Sequence, residues 1–142
     1  MFNDILVPVD LSERQTSGKV LQMATEFVTK TGGRLHVMTV VPDYGFHYVA
    51  QFFPANYEKG MMEEADATLH AFVRSYVPAD LPVQHIVAHG SIYKEIVRAA
   101  ETIGADLIFM ASHTPHTSDA VIGPNARTVL RAFKKSVFFV RP

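Results

Sequence analysis

Leu107-Ile-Phe-Met-Ala111 is an unbroken apolar run that gives way to a polar turn, Ser112-His-Thr-Pro-His-Thr-Ser-Asp119, before the chain reaches Gly123-Pro-Asn-Ala-Arg127. A short apolar run ahead of a polar loop reads as a buried strand. Gly123 followed by Pro124 marks a helix start, because proline at the first helical position gives up an N–H that has no partner in any case. Residues 106–130 therefore read as strand, loop and helix start. The free N–H groups of that first turn are expected to point into the loop, where they and the helix dipole favour an anion such as phosphate.

The rest of the chain repeats the alternation. Asp4 to Val9 is apolar and β-favouring and is expected inside a sheet covered on both faces. Ser12-Glu-Arg-Gln15 fits a capping box, and Val20, Leu21, Ala24, Phe27 and Val28 follow at helical spacing until Gly32-Gly33 stops the helix. Leu35 to Val41 is the second strand. From Asn56 a second helix carries Met62, Ala65, Leu69, Phe72 and Tyr76 on one stripe, with Pro78 past its end. Pro82 to His89 is the third strand, and Gly90-Ser91 turns into a helix on Ile92, Ile96, Val97, Ala100 and Ile103 closed by Gly104. After the fourth strand come a helix on Val129, Leu130 and Phe133 and a last strand from Ser136 to Arg141.

Strands alternating with helices, with no hairpin signal between them, predict right-handed crossovers and a single α/β domain over residues 1–142. Its doubly wound, Rossmann-like, five-stranded parallel sheet has helices on both faces and the last strand at an edge. In such sheets a ligand sits beyond the carboxyl ends of the strands where the winding reverses. Asp10, Val40, His89 and Ala111 to Thr114 all fall at those ends.

A formal charge of -1 over 142 residues leaves no basic field for nucleic acid and no cationic patch for a membrane surface. Cysteine is absent, which removes disulfide and thiolate chemistry and suits a reducing compartment. The start, Met1-Phe-Asn-Asp-Ile-Leu-Val-Pro-Val-Asp10, gives no signal-peptide core or membrane span, so the expected location is the cytoplasm.

Several residues admit two readings. Asp10 is placed to bond a ribose or adenine, or to cap the turn into the first helix. His113 and His116, near Asp119, are spaced as a metal set or sit solvated in a loop; the solvated reading is adopted and no metal is expected. His85 and His89 share a strand face only in part and are taken as structural. The aromatic stretch from Tyr44 to Tyr57 is a nucleotide lid, a surface for a protein partner, or packing on the sheet edge. Lys134-Lys135 meets phosphate or complements a helix C-terminus, the second being favoured. Met61-Met62 is read as core filler. Ser136 to Val140, as an edge strand, exposes pairing groups that a second copy would cover.

Ile5-Leu-Val-Pro-Val-Asp10, Val37-Met-Thr-Val-Val41, Gly90-Ser91, Ala105-Asp-Leu-Ile-Phe-Met-Ala-Ser-His113, Gly123-Pro-Asn-Ala-Arg127 and Ser136-Val-Phe-Phe-Val140, in this order and spacing, resemble the universal stress protein family across essentially the whole chain. The family's nucleotide motif is glycine, two residues, glycine, nine residues, then glycine followed by serine or threonine. Here Ala111 and Thr114 take the first two glycine places, eight residues separate Thr114 from Gly123, and Pro124 stands where the hydroxyl residue belongs. The shortened loop is similar to that of an enterobacterial subgroup in which nucleotide binding is kept.

The resemblance implies a fold like that of the adenine nucleotide alpha hydrolases and a cytoplasmic homodimer, paired through Ser136 to Arg141, that binds ATP, with or without Mg2+, and acts in stress response through nucleotide-dependent interactions. Pro8, Val9 and Asp10 would line the adenine and ribose side, with Val40 on the base. Met110 and Ala111 would border the ribose and first phosphate, with His113 and Thr114 beside them, and Gly123 with Asn125 would hold the other phosphates. Asn125 and Ala126 also offer amides. No hydrolytic base is apparent, so no catalytic residue is assigned. The alternatives are a dimeric interaction module with a degenerate pocket, and a slow ATPase or self-phosphorylating protein using Ser112, Thr114 or Ser118.

Overall fold

Ile5, Leu6 and Val7 have no exposed surface, and the sheet extends outward from them in both directions. The computed structural model describes residues 2–42, 57–115 and 122–142. In order these form β1 (Asp4–Pro8), α1 (Arg14–Thr31), β2 (Arg34–Pro42), α2 (Tyr57–Tyr76), β3 (Val83–Gly90), α3 (Ile92–Ile103), β4 (Leu107–Ala111), α4 (Pro124–Ala132) and β5 (Ser136–Val140). The strands lie in the order β3-β2-β1-β4-β5, and every pairing is parallel. The predicted doubly wound sheet, with its last strand at an edge, is the one observed.

The winding decides where each helix goes. From β1 the chain steps outward through α1 and α2 to β3, then returns through α3 to β4 on the other side of β1. Right-handed crossovers made in opposite directions put their helices on opposite faces. Val20, Leu21, Leu69 and Phe72 of α1 and α2 accordingly pack with Ile5, Val7 and Val37. Ile96, Ala100 and Val129 of α3 and α4 pack with Leu6, Met38 and Ile108. Helix ends follow the glycines: Gly32 (φ 83°) and Gly104 (φ 67°) close α1 and α3 in the left-handed conformation that a side chain disfavours.

Four local expectations need correction. Ser12 does not cap α1: its Oγ donates to Asp10 Oδ1 at 2.6 Å, and the cap position falls on Glu13, which makes no side-chain cap bond. A carboxylate two residues back outcompetes the backbone of the first turn for that hydroxyl. Leu130 is 49% exposed, because the short α4 docks through Ala126, Val129 and Phe133. Met61 and Met62 are only half-buried. His85 and His89 point to one face, as residues four apart on a strand must. The His85 ring stacks on His70 of α2 with centroids 3.6 Å apart, and His89 Nδ1 lies 2.9 Å from Glu58 Oε1. Burial, and then the neighbouring His70, lower the His85 pKa.

At the amino ends of the strands Asp4 is the polar anchor. Arg34 Nε and Nη2 each donate to its carboxylate at 2.8 Å, and His36 Nε2 lies 2.9 Å from Oδ1. The Arg34 hydrogen bond holds the Asp4 pKa below the ordinary 3.8, against the opposing effect of burial. A carboxyl whose folded-state pKa is depressed stabilises fully above its unfolded value and loses that contribution as pH falls through the folded one. Urea unfolding of Asp4→Asn between pH 7 and pH 3 should show lower stability at neutral pH and a shallower decline below pH 4 than the parent chain.

Candidate functional site

The carboxyl ends of β1, β2 and β4 open into one cleft of about 770 Å³, within the range of small-molecule pockets. Pro8, Val9 and Asp10 line it from β1 and the turn beyond, Val40 from β2, and Met110, Ala111, His113 and Thr114 from β4 and the following loop. Gly123, Asn125 and Ala126 line it from the start of α4. All eleven sequence-predicted site residues thus border one space. Ser118, His116 and Asp119 lie outside the described residues, as does the aromatic stretch up to Asn56. Among the described residues no cluster of three metal-ligating side chains occurs.

The β1–α1 corner is fixed by hydrogen bonds that use the backbone of Asp10. Ser17 Oγ accepts from the Asp10 N–H at 2.8 Å and donates to the Asp10 carbonyl at 2.9 Å. The Asp10 side chain caps the turn, with Oδ1 accepting from the N–H of Ser12 at 2.9 Å and from its hydroxyl. Capping and ligand contact are therefore compatible, because Oδ2 makes no hydrogen bond among the described residues.

Across the cleft, the N–H of Gly123 donates to Ser112 O at 2.8 Å, so it is committed to the β4 loop. A Cβ at Gly123 would stand 3.3 Å from His113 Cα; glycine is what lets α4 approach this closely. Pro124 has no N–H, and the first helical bond runs from Arg127 N–H to Gly123 O. The N–H groups of Asn125 and Ala126 therefore have no acceptor within the helix. His113 is buried rather than solvated, and its Nδ1 lies 2.8 Å from Ser112 Oγ.

Thr16, Ser17 and Thr39 also line the cleft and were missed from the sequence. All three are more than nine-tenths buried, and the hydroxyls of Thr16 and Thr39 make no hydrogen bond among the described residues. Their signal was available: each is a polar residue where the local period calls for an apolar one. Ile92 and Ile96 of α3 complete the apolar wall.

A sequence profile of the universal stress protein family matches residues 1–141. The chain belongs to the universal stress protein family. Universal stress protein G of Escherichia coli O157:H7 is 29% identical over 143 residues, a match covering 99% of this chain and all of that one. The solved structure of hypothetical protein MJ0577 matches with a TM-score of 0.81 at 25% identity, covering 100% of this chain and 97% of that one. A universal stress protein solved in complex with cAMP has the same fold, with a TM-score of 0.73 at 14% identity, covering 98% of this chain and 97% of its own.

Within this universal stress protein the departures from the family's nucleotide motif fall where they matter physically. Thr114 and Pro124 are exposed and Ala111 is half-buried, and all three line the cleft. The corner opposite is held by Ser17, whose loss would leave the Asp10 N–H without its partner and the Asp10 carbonyl with the Glu13 N–H alone. Ser17→Ala should lower unfolding stability by about 1–3 kcal/mol, measured by urea denaturation at neutral pH; an unchanged midpoint would mean that water replaces the hydroxyl.

Proposed function

We propose that the chain is a homodimeric, cytoplasmic universal stress protein whose cleft binds an adenine nucleotide. The observation that carries this reading is the convergence of an apolar slot, Val9, Val40 and Met110, with the unpartnered amides of α4 in one cavity. The base packs between the aliphatic side chains, with the Thr16 and Thr39 hydroxyls available to its polar atoms. Asp10 Oδ2 accepts from a ribose hydroxyl. Phosphate is received by Asn125 and Ala126. A protein of the same fold solved with cAMP supports the same ligand class. ATP is the nucleotide that the sequence resemblance implies, and the donor set fits its adenosine part better than its phosphate chain. The nucleotide acts by changing the surface around the cleft mouth, and with it the choice of partner, for which the Tyr44 to Tyr57 stretch is the candidate surface.

Thermal unfolding with AMP, ADP and ATP, each with and without magnesium, tests the reading. A ligand at 100 times its Kd stabilises by about 2.7 kcal/mol, a shift of several degrees for a domain of this size. Asp10→Ala should weaken binding by about tenfold, the loss of one good hydrogen bond to a charged acceptor, with the circular dichroism spectrum unchanged. If no adenine nucleotide moves the midpoint, the interaction-module reading replaces this one.

The dimer forms by antiparallel pairing of β5 with its copy about a two-fold axis. β5 is an edge strand, and Phe138, stacked on Phe109 with centroids 4.4 Å apart, is still 42% exposed. An unprotected apolar edge calls for cover. Phe138→Asp should turn a dimer into a monomer in sedimentation velocity; a wild-type chain that sediments as a monomer contradicts the pairing.

A further inference from the structure

Resting on the nucleotide reading above, we propose that the cleft is selective for an adenine nucleoside carrying a single phosphate, and that the second and third phosphates of ATP weaken binding unless a divalent cation screens them. The observation is one of charge. Among the described residues no lysine or arginine lines the cleft, whereas Asp10 and Glu13 do. The two internal segments outside the described residues, 43–56 and 116–121, contain no lysine or arginine either, and each contains an aspartate, Asp43 and Asp119. Arg14, Lys19 and Arg127, each one residue from a lining residue, are exposed and donate to the carbonyls of Leu11, Arg141 and Ile122. The site therefore offers a polyanion no full positive charge.

The neutral donors described at the start of α4 are limited too. Gly123 N–H is taken by Ser112 O, and Pro124, exposed at the first helical position, brings neither N–H nor hydroxyl. Among the described residues at the start of α4 there remain the N–H groups of Asn125 and Ala126 and the Asn125 side-chain amide, enough for the terminal oxygens of one phosphate, with Thr114 beside them on the cleft wall. The helix dipole that assists them decays within the first turn. A second phosphate adds a negative charge to a space already bordered by the carboxylates of Asp10 and Glu13, where little attraction offsets the loss of hydration. A single phosphate gains from the site, and a chain of three does not.

Isothermal titration of the purified full-length protein with adenosine, AMP, ADP and ATP at fixed ionic strength, first in EDTA and then in excess Mg2+, tests this. AMP should bind more tightly than adenosine. In EDTA the affinity should fall from AMP to ADP to ATP, with ATP weaker than AMP by about tenfold or more, and Mg2+ should recover much of the deficit for ADP and ATP while leaving AMP little changed. ATP binding in EDTA as tightly as AMP overturns the inference and leaves the nucleotide reading standing. If none of the four binds, both fall. Pro124→Ser restores one N–H and one hydroxyl and should raise the ATP-to-AMP affinity ratio by about tenfold. An unchanged ratio in that variant overturns the role given to Pro124.

Discussion

Handedness is the constraint on which this structure depends. A strand followed by a helix and a parallel strand crosses over in the right-handed sense, and this chain makes such crossovers in opposite directions from a fully buried β1. Two helices are thereby committed to each face. The turns leaving β1 and β4 part company, and among the described residues a cleft is left between them. The cleft is a consequence of the winding, and the side chains around it give it chemistry.

That separation explains how much was legible in the sequence. The strands are short apolar runs and the helices carry apolar stripes at helical spacing, so the element order and the doubly wound sheet follow from period alone. The position of the cleft follows too, because strand ends are easy to read and the switch point is a rule of topology. Asp10, Val40, Ala111 and Gly123 come together for this reason, although more than a hundred residues separate the first from the last.

Local competition between hydrogen-bond partners was not legible. Ser12 has the identity and spacing of a helix cap, yet a carboxylate two residues away takes its hydroxyl. Gly123 has an amide in the place suited to an anion, yet Ser112 O accepts from it. Thr16 and Thr39 read as interruptions of apolar patterns until the fold puts both on the cleft wall. For Ser12 the outcome turns on which of two near partners wins, and for Gly123, Thr16 and Thr39 on three-dimensional approach, neither of which period and composition encode. The same holds for His70 and His85, distant in sequence and stacked in space.

The cleft thus joins an apolar slot, a carboxylate already half occupied by its own turn, and two backbone amides with no acceptor in their helix. Backbone amide resonances report on those groups directly. Titrating isotopically labelled protein with AMP should move the amide resonances of Asn125 and Ala126 most, with smaller shifts at Val40 and Ala111 and none at the far end of the sheet around Asp4. Unchanged Asn125 and Ala126 resonances at saturating nucleotide, or shifts confined to the amino ends of the strands, would contradict the account.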